Sequence, residues 1–311
     1  MNLLMTSLLI SVAYNHAAKP DTNVDAPATY SLAYKFRKGD KLHYSVLQKT
    51  THDSRQKQFQ QTVREKVVEN KHYAVVEVRD DGTFVLQTVF DRIQMEADFG
   101  PKKQVVFDSN KPAAADPPGF KSFRRLTARP QYNVTFKPNG ELRSVRRLAG
   151  ASSKQNSAGK DGSGASYLVI LPDEPIRVGE TWRQLYNVKV PVGEGIIRRI
   201  EILRTYRLNS VENNIARISY ATSINSRITD PNTLALLSRA EPTGEVVFDI
   251  EAGRILGRTM KSDKTILNAA GPNSLVRVVS SRVERIAEEE ADEQQAGGDK
   301  PAAEKPKTGA E

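Results

Sequence analysis

The sequence predicts an all-β protein, a large curved antiparallel sheet or half-barrel made of two diverged β-meander repeats, with at most one or two short helices. Three observations predict it. Apolar, β-branched and aromatic residues alternate with polar ones at period two over most of the chain, which puts every second side chain on the same face of a strand. Clusters of Gly, Asn, Asp and Pro punctuate the alternating runs, as tight turns require. One phrase also occurs twice. FRKGDKLHYSV, Phe36 to Val46, and IRVGETWRQLYNV, Ile176 to Val188, match Phe36, Arg37, Gly39, Asp40 and Leu42 with Ile176, Arg177, Gly179, Glu180 and Trp182.

Taken in order, the first element is LLMTSLLISVA, Leu3 to Ala13. It has the length of a signal peptide, is too short to span a bilayer, and ends in small residues at the positions a signal peptidase reads. Residues 1–13 are therefore expected to be a signal peptide and 14–29 a disordered leader. The protein would be periplasmic or secreted, with cytoplasmic residence as the alternative. No later run approaches the ~20 apolar residues of a membrane helix, so no span is expected after processing.

Residues 30–150 form the first expected β unit. Thr29 to Phe36 places Tyr30, Leu32, Tyr34 and Phe36 on one face of a strand. KLHYSVLQKT, FQQTVREKVV, YAVVEV and FVLQTVFDRIQMEA follow as a meander, with Asp80-Asp81-Gly82 as a tight turn. Ser54 to Asn70 fits a helix as well, because Phe59, Val63 and Val67 also share a helical spacing. Asp108 to Gly119, broken by Pro112, Pro117 and Pro118, reads as a loop. Tyr132 to Val145 is a hairpin turning at Pro138-Asn139-Gly140.

Residues 151–166, rich in Ser, Gly and Lys, read as a flexible linker. Residues 167–286 form the second unit. GIIRRIEILRTYRL and NIARISYATSI are strands, and Asp230-Pro231 caps and opens a short helix. A hairpin from Glu245 to Met260 and a closing strand, SLVRVVSSRVERI, complete it. Val134, Phe136, Gly140 and Leu142 correspond to Val246, Phe248, Gly253 and Ile255, with one extra residue in the later turn. Residues 287–311 hold eight acids against three bases and are expected to be a disordered tail. The whole chain nevertheless carries +9, so its body is strongly basic. That balance suits a polyanionic partner, and it also suits sheet edges blunted by Arg and Lys.

Chemistry is sparsely marked. Cysteine is absent, which removes disulfides, thiolate metal sites and a cysteine nucleophile. The four histidines, His16, His43, His52 and His72, show no pair at metal-ligand spacing, so no metal and no cofactor is expected. His52-Asp53-Ser54 reads as a turn, because adjacent side chains of an extended chain point apart and cannot assemble a triad. Gly159 to Gly164 lacks the spacing of a phosphate-binding loop. The expected protein is non-enzymatic.

Candidate ligand-binding residues are the aromatics Trp182, Phe36, Phe136 and Phe248, on the expected concave face. Lys121, Arg124, Arg125, Arg143 and Arg146 flank one hairpin and form a candidate anion-binding patch. Their aromatic spacing matches no RNA-binding signature, which argues against nucleic acid as the partner.

LPDEPIRVGETW followed by GEVVFDIEAGRIL resembles a family of uncharacterised exported bacterial β proteins, of the type found in planctomycetes. Leu171, Pro172, Gly179, Trp182, Gly244, Phe248, Asp249, Gly253 and Arg254 carry the resemblance. It implies export and an all-β fold, and it brings no catalytic residue. Two functions follow as expectations: an envelope protein binding an apolar ligand such as lipid, or an anionic one, on the concave face, or a structural or protein-interaction module of the envelope that binds no small molecule.

Overall fold

The computed structural model describes residues 28–100, 103–118, 120–149, 168–193 and 196–287. The expected signal peptide and linker, and nearly all of the expected leader and acidic tail, lie outside the described residues. Fourteen strands and two short α-helices are present among those described. The first half contributes β1 (Thr29–Tyr30), β2 (Lys41–Gln56), β3 (Phe59–Val78), β4 (Phe84–Asp98), β5 (Gln104–Asp108), α1 (Lys121–Ala128), β6 (Tyr132–Phe136) and β7 (Leu142–Arg147). The second contributes β8 (Ile176–Arg177), β9 (Thr181–Gly193), β10 (Ile196–Glu212), β11 (Ile215–Ile224), α2 (Pro231–Leu236), β12 (Thr243–Asp249), β13 (Arg254–Leu267) and β14 (Ser274–Ile286).

Twelve strands make one antiparallel sheet in the order β7-β6-β4-β3-β2-β14-β13-β12-β11-β10-β9, with β5 added beside β4. The first and last long strands close the order in its middle, where β2 pairs with β14 from Tyr44↔Ile286 to Gln56↔Ser274. The two sequence units are thus one continuous sheet. The sheet is strongly curved, and a single cavity demonstrates it. β4 and β9 stand eight strands apart in the order, roughly 38 Å on a flat sheet at about 4.8 Å per strand. Residues from both nevertheless line one cavity of about 480 Å³.

Alternation decides what faces inward. Leu42, Tyr44 and Val46 of β2, Tyr73 and Val75 of β3, Ile200, Ile202, Tyr206 and Leu208 of β10, and Ala216, Ile218 and Tyr220 of β11 are all buried. Part of the concave face is filled by a strap of chain. Thr29 to Phe36, expected to be a strand, pairs only at Thr29↔Arg177 and Tyr30↔Ile176. Beyond that it runs extended over the sheet with Leu32 and Tyr34 buried. The Tyr34 amide donates to Pro138 O (2.8 Å) and the Lys35 amide to Gly253 O (3.1 Å), so the strap ties together the hairpin turns of both halves. The Tyr34 hydroxyl donates to Val169 O at 2.9 Å.

The two phrases fold into the same turn. Gly39 and Gly179 have φ of +98° and +92°. The Arg37 amide donates to the Asp40 carboxylate at 2.7 Å, and the Arg177 amide to the Glu180 carboxylate at 2.9 Å. The Gly39 and Gly179 amides then donate to Val75 O and Leu208 O, on the strand that follows in each half. The V-x-F hairpins agree as well, because each carries a bulge immediately before its phenylalanine, Phe136 or Phe248.

Ser54 to Asn70 is strand on both sides of a turn at Lys57 (φ +53°), so the strand reading holds over the helical alternative. One further local expectation is corrected. His52-Asp53-Ser54 lies inside β2, where long-range pairing to β14 overrides local turn preference. Helix α1 was not visible in the alternation. It is held by Phe120 and Phe123 against Phe107, at centroid distances of 5.7 and 6.3 Å. Helix α2 forms as expected, with the Asp230 carboxylate accepting from the Asn232 and Thr233 amides and Pro231 in the first turn. Asp230→Ala is expected to lower the urea midpoint with the slope unchanged.

Candidate functional site

The cavity lies on the part of the concave face that the strap leaves open. Inward slots of β3, β10, β13 and β14 carry Lys71, Arg204, Arg258 and Arg282, and Arg239 projects from the segment after α2. Tyr73, Tyr186, Tyr206 and Tyr220 form an aromatic wall, and Phe90, Val169, Val188, Pro242 and Met260 supply apolar surface. Five cations therefore border the cavity against one lining acid, Glu69.

Four of the cations have carboxylate partners. Glu284 stands directly opposite Arg258 across the β13–β14 pair. Its carboxylate is 2.5 Å from Arg258 Nε and 2.9 Å from Lys71 Nζ, and its side chain is 3% exposed. Burial alone would raise the Glu284 pKa, but Arg258 and Lys71 overcome that and bring it from 4.5 down to about 2. Arg282 pairs with Glu69 at 3.2 Å and Arg239 with Glu65 at 3.8 Å.

Arg204 is different. It is 9% exposed, sits in the buried row Ile200, Ile202, Arg204, Tyr206, Leu208, and has no carboxylate in ion-pair distance among the described residues. Its Nε donates to Thr222 Oγ1 at 2.9 Å and its Nη2 to Tyr186 Oη at 3.2 Å. The guanidinium lies 5.5 Å from the Tyr186 ring centroid and 5.2 Å from that of Tyr220. Hydroxyls and ring faces orient a cation without neutralising it. Thr88 Oγ1, also at the cavity wall, is buried with no hydrogen-bond partner among the described residues.

The four aromatics singled out from the sequence do not line this cavity. Phe136 and Phe248 are 0% exposed and belong to the packed core. Phe36 meets Phe84 edge-on at 4.8 Å and borders a separate polar cleft near Lys35 to Leu42. Trp182 stacks on Tyr206 at 5.2 Å and donates from Nε1 to Ile170 O at 2.8 Å, so it backs the cavity wall through Tyr206. The basic residues of the sequence patch are likewise elsewhere. Arg124 is held by Asp116 through paired bonds of 2.7 and 2.6 Å and also donates to Ser109 O. Arg143 pairs with Asp81 at 3.2 Å. Arg125 and Arg146 are exposed on α1 and β7, and Lys121 opens α1.

The fold brings together two histidines that lie far apart along the chain. His43 and His72, 29 positions apart, are direct cross-strand partners in the β2–β3 register, with ring centroids 4.8 Å apart. His52 contacts Arg239 at 2.6 Å, and burial, reinforced by Arg239, lowers its pKa from the ordinary value.

No family model matches the chain, and no curated protein matches it. Among solved structures, DynF from the dynemicin biosynthesis pathway of Micromonospora chersina aligns with 86% of this chain and 92% of its own, at 7% identity and a TM-score of 0.21. A likeness at that level carries no argument about fold or function.

Proposed function

We propose that the protein is a non-enzymatic binder of an amphipathic anion, a molecule with a carboxylate head and an apolar body, held in the concave cavity of the curved sheet. The observation that carries the reading is Arg204, a buried guanidinium with no carboxylate partner among the described residues, aimed into a cavity whose remaining wall is largely tyrosine and aliphatic surface. An anion there would neutralise Arg204, and Thr88 Oγ1 is free to donate to it. The apolar body would lie against Phe90, Val188 and Met260. A volume of about 480 Å³ is within the range of small-molecule sites. Among the described lining residues, Lys71 and Glu69 are tied into ion pairs with Glu284 and Arg282, which favours binding over nucleophilic chemistry. Action in the cell envelope is part of the same proposal, supported by the apolar run from Leu3 to Ala13.

The test is binding of dodecanoate, dodecanol and dodecylammonium, followed by Trp182 fluorescence through its stacking on Tyr206. Dodecanoate is expected to bind at least tenfold more tightly than dodecanol, since a charge-assisted hydrogen bond contributes about 1.5–3 kcal/mol. Arg204→Met should erase that preference without lowering the melting temperature, because it removes an uncompensated buried charge while nearly keeping its volume. Equal binding of all three probes, or retained dodecanoate preference in Arg204→Met, overturns the reading. No binding of any of them would turn it toward a structural module.

A further inference from the structure

We infer that the convex face of the sheet carries a binding site for a divalent first-row transition metal, formed by His43, His72 and Asp91. The ligand atoms of these three side chains all lie within 4.8 Å of one another. The site is independent of the concave cavity: in β2 and β3 the inward side chains are Leu42, Tyr44, Lys71 and Tyr73, so His43 and His72 project from the opposite face.

Three features of the fold build it. The antiparallel register sets His43 and His72 side by side, at the separation that cross-strand partners adopt. A bulge in β4 then supplies the acid. Asn70 pairs with Arg92 and Lys71 with Phe90, which leaves Asp91 as the extra residue between them. Bulges of this kind re-aim a side chain, and here the Asp91 carboxylate meets His72 Nδ1 at 2.9 and 3.1 Å. The His72 side chain is 14% exposed and that of Asp91 41%, so the imidazole is sheltered while the carboxylate opens to solvent and leaves an entry path.

The chemistry selects the ion. Two imidazoles and one carboxylate suit zinc, cobalt or nickel, whereas magnesium and calcium require mostly oxygen ligands. Tetrahedral coordination at about 2.0 Å per bond sets ligand atoms roughly 3.3 Å apart. The His72–Asp91 pair is already near that distance. His43 closes the remainder by side-chain rotation of about 1.5 Å or less from the 4.8 Å limit. The ion sits where the hydrogen bond between His72 Nδ1 and Asp91 now lies, with His43 as the third ligand and solvent in the open position.

The test uses the full chain prepared without a histidine tag. Cobalt(II) is titrated while visible absorption and the ring-proton signals of the histidines are followed, and zinc(II), magnesium(II) and calcium(II) are titrated calorimetrically. The expected result is saturable binding of one cobalt or zinc per chain, with the signals of His43 and His72 shifted by cobalt and those of His52 unaffected. Magnesium and calcium should show no binding. His43→Gln and His72→Gln, which retain side-chain bulk, should each lose the cobalt absorption, and Asp91→Asn should weaken zinc at least tenfold. His52→Gln should bind as wild type does. The inference is overturned if the wild type binds no stoichiometric cobalt or zinc, if cobalt shifts His52 in place of His43 and His72, or if the His43 and His72 variants bind as tightly as wild type. The ring-proton readout decides the question even where a variant fails to fold.

Discussion

Replacing Glu284 by Ala is expected to destabilise the fold by about 3–5 kcal/mol, which for a sheet of this size lowers the melting temperature by roughly 10 °C. The side chain accepts from Lys71 and Arg258 at 2.9 and 2.5 Å, and the exposures of the two cationic side chains are 5% and 13%. Removing the carboxylate takes the shared counter-charge away from two largely buried cations. That penalty, more than the loss of attraction, sets the size of the effect. The pH dependence has a definite sign. The folded pKa of Glu284 is lowered to about 2 from its ordinary 4.5, so its stabilisation is complete above about 4.5 and fades as the pH falls toward 2. The stability gap between wild type and Glu284→Ala should therefore narrow over that interval. A gap below about 1 kcal/mol at pH 7 by urea unfolding would show that the cluster is solvated and sink the argument.

The sheet was far more legible in the sequence than the site. Alternation is a local property, and it places Ile200, Ile202, Tyr206 and Leu208 correctly on the inner face. The same row contains Arg204. Grouped with its chain neighbours Arg198, Arg199 and Arg207, it looks like one member of a basic cluster. Assigned to its strand face, it is a cation in an otherwise apolar row. That mismatch is a readable signal of function, as is Lys71 two residues before the inward Tyr73. Glu284 could not be found this way. Its partners come from β3 and β13, and they meet only because β14 inserts between β13 and β2. The His43–His72–Asp91 group was hidden for the same reason, since it depends on register and on a bulge, and neither is set by spacing along the chain. Phe136 and Phe248 are core because the strap, through Tyr34, covers the part of the concave face that they occupy, whereas Phe36 belongs to the strap itself and Trp182 packs at the edge of the cluster.

The strap also explains why the two hairpin turns carry glycine, and Gly253→Val tests that directly. A Cβ at position 253 would stand 2.5 Å from both the amide nitrogen and Cβ of Lys35, and Gly253 has φ of +62°. The valine therefore meets two separate obstacles. The left-handed backbone costs a non-glycine residue about 1–2 kcal/mol, and more when it is β-branched. The clash pushes away the strap, breaking the Lys35 amide bond to Gly253 O and loosening Tyr34 beside it. Gly39 separates the two effects: its φ is +98°, yet a Cβ there would meet nothing within 4 Å. Gly39→Ala should thus show the conformational cost alone, roughly 1–2 kcal/mol, whereas Gly253→Val should lose about 3–5 kcal/mol, the range of other large backbone and packing defects. Limited proteolysis adds a spatial readout, since cleavage between Leu32 and Phe36 should accelerate in Gly253→Val and stay at the wild-type rate in Gly39→Ala. Equal losses in the two variants, with the strap still protected, would mean that turn conformation alone requires the glycine and that the strap does not clamp the two halves.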